Sequence, residues 1–300
     1  MTSAARHRPP SASELPPTPN DAPPYDSVVS FVLYRTPPGE IAAAVAQVLA
    51  SPGRNHVVLV DNSVPPLDLG GFASPDVTII RAGGNIGYGS GHNLALRRFA
   101  GQARYHFVLN SDLTFGPQAI PDLIAFMDAN PGVGLAMPLV RYPDGRLQHL
   151  CRILPRPVDV LARAALPGHR WTRALNRRYE ARDWAYDEAL SFPFLSGCFM
   201  VLRPQVLDQV GLFDERFFLF AEDLDLSRRI HRVADTVLCP TVSVVHEYRT
   251  QTTRSWARLG YQLRSFAQYF NKYGWLRDRE RTAMNRRALD RVRAARRAGA

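Results

Sequence analysis

Between residues 27 and 112 the chain alternates short apolar runs, rich in β-branched and aromatic side chains, with stretches of helical periodicity, and few folds accept that order. Residues 27–34 read as a buried strand, stopped by Pro37-Pro38 before a helix over 41–49. Residues 56–60 form the next strand, ending at Asp61-Asn62-Ser63. A third covers 77–80 and leads through a glycine-rich turn into a helix over 93–99; a fourth covers 105–109 and ends at Asn110-Ser111-Asp112. Near-continuous apolar strands separated by helices predict an α/β fold, with a mostly parallel central sheet and helices on both faces. In such sheets ligands sit beyond the carboxyl ends of the strands, and two of those ends carry an Asp beside an Asn and a Ser.

Further along, the pattern predicts a helix over 120–127, strands over 134–140, 199–202 and 241–245, and helices over 224–233 and 256–273. Residues 154–184, with their Pro, Arg and Trp, read as an insertion lying over the sheet. Residues 1–25 are rich in Pro, Ser and Ala without apolar periodicity, which predicts a disordered tail. That tail has no apolar core of the kind a secretory signal needs, and no later segment has the apolar length of a membrane span, so a cytoplasmic location is expected. Cys151, Cys198 and Cys239 are isolated from one another and from His at metal-ligand spacing, and read as small buried residues.

The formal charge of +10 is unevenly distributed. Residues 276–300 hold nine Arg against Asp278, Glu280 and Asp290, and a second basic stretch covers 163–182. Nucleic acid, an anionic membrane surface or a phosphorylated substrate would each satisfy this charge, as would a solvated helix that binds nothing specific. Residues 251–300 are expected to form a helical basic segment after the main domain.

Two motifs suggest chemistry. The turn 83–93 contains five glycines, which permit positive φ and close approach of backbone to a ligand, with Asn93 placed to cap the following helix. It has neither the dinucleotide fingerprint nor the Lys and Ser/Thr of a phosphate loop. The run 213–226 sets Asp214, Glu215, Glu222, Asp223 and Asp225 among Phe and Leu. An apolar wall lowers the local dielectric, so carboxylates held there need a cation, a donor or a shared proton, as catalytic acids and bases do. The plainer alternative is that Asp223 and Asp225 charge the first turn of the next helix. Asp112 is a single carboxylate at a strand end, and His246 at the end of a later strand offers a second ligand; a divalent cation on a diphosphate needs only one or two protein ligands.

Taken in order, Val60-Asp61-Asn62-Ser63, Gly84-Asn85-Ile86-Gly87-Tyr88-Gly89 with Asn93, Asn110-Ser111-Asp112, Ser196-Gly197-Cys198-Phe199-Met200, Gly211-Leu212-Phe213-Asp214-Glu215, Glu222-Asp223-Leu224-Asp225-Leu226 and His246 resemble the family 2 glycosyltransferases of the GT-A fold. Within them the chain most resembles the bacterial rhamnosyltransferase-like branch, over about residues 27–275. The resemblance implies a catalytic domain over 26–250 and a nucleotide-sugar donor, dTDP- or UDP-linked, with L-rhamnose from dTDP as the branch's sugar. It implies Mg²⁺ or Mn²⁺ as cofactor and a glycan or lipid-linked saccharide acceptor. The basic C-terminal segment then suits peripheral contact with the anionic inner face of the membrane, and no nucleic-acid partner is expected. By position, Asp61 and Tyr34 would meet the base; Gly84, Asn85 and Asn93 would lie along the nucleotide and its diphosphate, beside Asn110. Asp112 and His246 would hold the metal, and Asp223 would be the catalytic base. Asn110 stands where many members have an acid, and Arg35 where relatives often carry a small polar residue.

The chemistry agrees when argued separately. Glycosyl transfer builds negative charge on a leaving diphosphate while an acceptor hydroxyl loses a proton. A divalent cation answers the first demand. A carboxylate within hydrogen-bond reach answers the second, contributing on the order of a hundredfold to ten-thousandfold. On the face opposite the leaving group, Asp223 would make the displacement a single inverting step, with Glu222 and Asp225 orienting it or capping the helix and Asp214 touching the acceptor or bracing the loop. The residues leave two rivals open: a sugar-phosphate nucleotidyltransferase, and a non-catalytic nucleotide- or nucleic-acid-binding module.

Overall fold

A computed structural model of the chain describes residues 22–166, 168–247 and 256–298. Most of the tail predicted for 1–25, and the start of the C-terminal segment, lie outside the described residues. Strand β1 (Tyr25–Leu33) is followed by α1 (Pro38–Leu49), β2 (Asn55–Asp61), β3 (Val77–Arg81), α2 (Tyr88–Arg98) and β4 (Ala103–Leu109). These strands pair in parallel in the order β3-β2-β1-β4. Alternation within β1 supplies two cores: Val29, Phe31 and Leu33 pack with Ile41 and Val48 of α1, whereas Val28 packs with Ala95 of α2.

The second half of the sheet comprises β5 (Leu113–Thr114), β6 (Val133–Arg141), β9 (Phe199–Leu202) and β10 (Asp235–His246), with α3 (Ala119–Ala129) between β5 and β6. Strand β9 runs antiparallel between β4 and β6, β10 lies parallel to β6, and β5 closes the edge antiparallel to β10. Six strands, β1, β2, β3, β4, β6 and β10, therefore end at one edge of the sheet among the described residues. Strand β10 begins six residues before the predicted 241, because the break at Pro240 is absorbed as a shift in register between Cys239 and Ser243.

Helix α2 begins at Tyr88, five residues earlier than predicted, so Asn93 sits inside the helix and does not cap it. The insertion forms α4 (Pro157–Ala165) and α5 (Arg170–Tyr179), placed between β7 (Cys151–Arg152) and β8 (Phe194–Leu195), which make a separate two-stranded sheet. Helix α6 (Pro204–Val210) and the long loop after it lead to α7 (Glu222–Ile230). The C-terminal segment forms α8 (Trp256–Tyr273) and α9 (Arg279–Ala298) and is no loose appendage. Tyr269, Phe270, Met284, Ala288 and Val292 enter the larger core, and the buried Arg228 of α7 pairs with Asp278 at 2.7 Å and Glu280 at 2.6 Å.

Candidate active site

Asp112 lies just beyond β4, and His246 is the last residue of β10, so the sheet itself brings them to its ligand-binding edge. His246 Nε2 is 3.1 Å from Asp112 Oδ1. On the other side of the ring, Nδ1 is 3.1 Å from Gln148 Oε1, while the Gln148 amide nitrogen donates to the His246 carbonyl at 3.0 Å. That second bond sets the amide's orientation, so Nδ1 carries the proton and Nε2 is the nitrogen available to a metal. Burial opposes charge on this ring, but Asp112 and Cys198 overcome it and hold the pKa up at about 10. Without a cation, His246 is thus an imidazolium paired with Asp112, and a metal entering there would displace its proton.

The opposite wall is α7. Phe220 and Ala221 both have left-handed backbone, φ 68° and 65°, a conformation that costs non-glycine residues energy and here delivers two acids to the first helical turn. Asp223 Oδ2 accepts from the Gly197 N–H at 2.8 Å and Oδ1 from the Leu224 N–H at 2.8 Å, and the residue stays partly exposed. Glu222 is buried, and its Oε2 has no hydrogen-bond partner. Burial raises the pKa of Asp223, while the Gly197 N–H and the Arg152 charge restrain the rise. Burial and the neighbouring Asp223 charge raise Glu222 well above the usual range. The two carboxyls therefore titrate as a pair, with Glu222 the more strongly raised and the Gly197 N–H and Arg152 charge favouring the ionised form of Asp223.

The other acids of the cluster are committed elsewhere. Asp225 is fully buried, bonded to Arg229 at 2.7 Å, Lys272 at 2.6 Å and the Tyr273 hydroxyl at 2.7 Å. Asp214 is held by Arg216 at 2.5 Å and Lys272 at 2.7 Å, which answers the open question in favour of bracing the loop. Glu215 is bonded to Asn93 and Arg97.

Tyr88 joins the two walls. Its hydroxyl lies 3.0 Å from Asn110 Oδ1 and 2.7 Å from the Gly197 carbonyl, and Asn110 Nδ2 is 3.3 Å from His246 Nε2. A path of contacts therefore runs from Asp112 through His246, Asn110, Tyr88 and Gly197 to Asp223. Burial, together with Cys198, Glu222, Asp223 and Asp112, raises the Tyr88 pKa so that it stays a hydroxyl. The glycines beside Tyr88 serve this packing. A Cβ at Gly87 (φ 94°) would sit 2.3 Å from the Phe218 carbonyl oxygen, and one at Gly197 would sit 2.9 Å from Asp223 Cβ.

The residues assigned to the nucleotide fare unevenly. Tyr34 is exposed at the end of β1, with the Arg35 guanidinium 5.3 Å from its ring centre. Gly84 opens onto free space, and Asn85 is exposed, its Oδ1 accepting from the Gly87 N–H at 3.1 Å. Asp61 stands at its expected strand end, but its carboxylate has no exposed surface. It accepts from the Ser63 N–H at 2.9 Å, the Leu67 N–H at 2.8 Å and Arg81, closing the loop after β2 on itself. Asn93 is also fully buried, exchanging bonds of 3.0 and 2.9 Å with the Phe213 backbone. Here it fastens the acid-rich loop to α2. Tyr88, Gln148, Gly197 and Arg152 were not singled out from sequence; only Tyr88 and Gly197 stood within a motif that could have flagged them.

Solved structures with a similar fold include GalNAc-T7 with UDP, GalNAc and Mn²⁺, at TM-score 0.61 and 14% identity over 82% of this chain and 48% of that one. They also include a mannosyltransferase from Pyrobaculum calidifontis in complex with GDP-Man and Mn²⁺, at 0.54 and 17% over 92% and 77%. The fold is GT-A, the architecture of nucleotide-diphospho-sugar transferases. The profile of glycosyl transferase family 2 matches residues 32–211, and the chain belongs to that family. Membership of that family weighs against the nucleotidyltransferase and non-catalytic readings. An N-acetylglucosaminyl-diphospho-decaprenol L-rhamnosyltransferase from Mycobacterium tuberculosis is 30% identical over 195 residues, 60% of this chain and 62% of that protein. A low-salt glycan biosynthesis hexosyltransferase from Haloferax volcanii is 24% identical over 215 residues, 67% of this chain and 62% of that protein. The chain is thus matched over less than two thirds of the length of these relatives.

Proposed function

We propose that the chain catalyses inverting, metal-dependent transfer of a sugar, L-rhamnose from a dTDP donor, to a hydroxyl of a lipid-linked saccharide bound for a cell-surface glycan. The observation that carries this reading is the partly exposed Asp223, linked to the Asp112–His246 pair by a short chain of contacts through Gly197, Tyr88 and Asn110. Donor sugar and acceptor class follow the likeness to the M. tuberculosis rhamnosyltransferase.

The residues present fit a divalent cation: one carboxylate oxygen and one imidazole nitrogen 3.1 Å apart, with the ring's far nitrogen anchored by Gln148. The imidazole makes the set softer than an all-oxygen site, which favours Mn²⁺ over Mg²⁺. When bound, the cation stabilises the charge that develops on the leaving diphosphate. Asp223 takes the proton from the acceptor hydroxyl, and the Arg152 charge favours the ionised form that does so. Burial and the Asp223 charge raise the Glu222 pKa, which favours its neutral form. Tyr88 and Asn110 set the separation of base and cation walls. With Asp61 enclosed, the exposed Tyr34 and the half-exposed Arg81 are the groups that meet the nucleoside.

Such a reaction belongs on the cytoplasmic side, against the inner face of the membrane. No helix among the described residues is long and apolar enough to cross a bilayer. The test is Asp223→Asn. It abolishes turnover on this reading while nucleoside diphosphate binding, followed by thermal shift with and without Mn²⁺, stays intact. Full turnover by that variant removes the assignment.

A further inference from the structure

A cavity of about 470 Å³ opens beside the cleft, between the loop after β6 and the stretch after α5. Two of its lining residues act on the candidate site: Gln148 is bonded to His246, and Arg152 acts on Asp223 through its charge. Arg146, Arg152, Arg182 and His149 also line it, against the single acid Glu180. Arg182 pairs with Glu180 at 2.6 Å and Arg146 with Asp144 at 2.7 Å, whereas Arg152 forms no ion pair among the described residues. Its guanidinium stacks by Tyr179 and Phe194, and its Nε is buried without a hydrogen-bond partner. His149 Nδ1 is buried without a partner as well. A guanidinium without an ion pair and a net positive lining in one cavity are unfavourable unless an anion completes them.

The cavity lies beside the end of β6 and the separate β7–β8 pair. Tyr34, Gly84 and Asn85 stand at the other half of the main sheet, beyond β1 and β3. We propose that this cavity is a subsite for the diphosphate of the acceptor, separate from the donor diphosphate at Asp112 and His246. The inference rests on the reading of the chain as a transferase with a lipid-linked acceptor. The Arg152 guanidinium and His149 would donate to the anion, with Arg146 and Arg182 closing the rim.

Isothermal titration of the full chain with geranyl diphosphate tests it, with and without dTDP and Mn²⁺. The probe binds in both conditions, and Arg152→Gln weakens it by about tenfold or more with dTDP affinity unchanged. Arg182→Gln, at a half-exposed position that tolerates change, also weakens it, because Glu180 is left unpaired at the cavity. Failure of the probe to bind, its displacement by dTDP, or full affinity in folded Arg152→Gln overturns the subsite. If Arg152→Gln does not fold, full affinity in Arg182→Gln does so. Probe binding by a protein that ignores dTDP and Mn²⁺ would instead sink the donor reading and leave the subsite standing.

A separate observation concerns the α4–α5 hairpin, which joins Arg152 to Glu180. Val158, Leu161, Leu166 and Trp171 are all exposed, Leu161 by 59%. Val158 and Leu161, three residues apart, share an exposed face of α4, with the buried Val160 on the other side. Residues 160–179 carry five Arg and no acid. An apolar patch ringed by arginines has the make-up of an interfacial membrane contact. The apolar face of α9, by contrast, is already packed in the core. We infer that the hairpin, more than the C-terminal segment, docks on an anionic bilayer and sets the cavity at headgroup level. The full chain should sediment with phosphatidylglycerol-containing vesicles, lose that binding in Leu161→Glu/Trp171→Ala, and keep it in Arg286→Gln/Arg287→Gln. Undiminished binding by the hairpin variant overturns this, as does a dimer in size exclusion that the same variant splits.

Discussion

Gly197→Ala isolates the geometry of the base from its chemistry. Gly197 has no left-handed φ, so alanine is allowed by its backbone. The new Cβ would lie 2.9 Å from Asp223 Cβ, where ordinary contact is 3.4–4 Å, so the two must separate by roughly half an ångström to one ångström. The carboxylate cannot yield freely, because Oδ2 is held by the N–H of the same residue at 2.8 Å. A misplacement of about 1 Å in a reacting group costs on the order of a hundredfold in rate, equivalent to about 2.7 kcal/mol of barrier. The overpacking itself costs about 1–3 kcal/mol of stability, which is measurable but survivable. The assay is initial-rate kinetics with a nucleotide-sugar and a verified acceptor, beside nucleoside diphosphate binding and urea unfolding. The expected result is a large fall in kcat with nucleotide affinity preserved. An unchanged kcat in a folded protein would show that this placement of Asp223 is not what turnover requires.

Asp112→Ala should raise the Mn²⁺ concentration needed for half-maximal activity steeply, and an unchanged titration would remove it from the metal site. The acid limb of kcat should lie above the ordinary aspartate range, because burial raises the Asp223 pKa and the base works only when ionised. Arg152→Gln removes a charge that lowers that pKa, so the limb moves to higher pH; a shift the other way contradicts the pairing. Arg228→Met leaves Asp278 buried without its partner and should cost about 3–5 kcal/mol in urea unfolding. Loss of less than about 1 kcal/mol would mean the cluster that ties α7 to the C-terminal helices is not structural.

The strands ending at Asp61 and Asn110 were legible because each is a continuous apolar run closed by polar residues, and burial on both faces demands that pattern. The start of α2 was not. Gly89 and Gly91 argue against helix by propensity, yet they are needed there so that Phe213 and Val32 can approach to within 3 Å of where a Cβ would stand. Tertiary packing outweighed local preference. The orientation of β9 could not be read either, since a four-residue run carries no record of which neighbours it pairs with, or in which direction.

The same reasoning separates the candidate site residues whose side chains stay partly open from those whose polar atoms are already bonded within the chain. Asp223 was visible because an acid in an apolar wall is costly unless it is used. Asp61 and Asn93 looked equivalent from sequence, being polar residues near strand ends and glycines. A backbone turn has orphan N–H and C=O groups of its own, however, and a nearby carboxylate or amide can be consumed in satisfying them. What marks a group as available to a ligand is not its type or its motif but whether its hydrogen-bonding capacity has already been used. That depends on partners far away in the chain: Gly197 for Asp223, Gln148 for His246, and, among the described residues, no hydrogen-bond partner for Arg152 Nε. By that criterion Arg152, which belongs to no motif, has a stronger claim to a ligand than Asp61, which belongs to one.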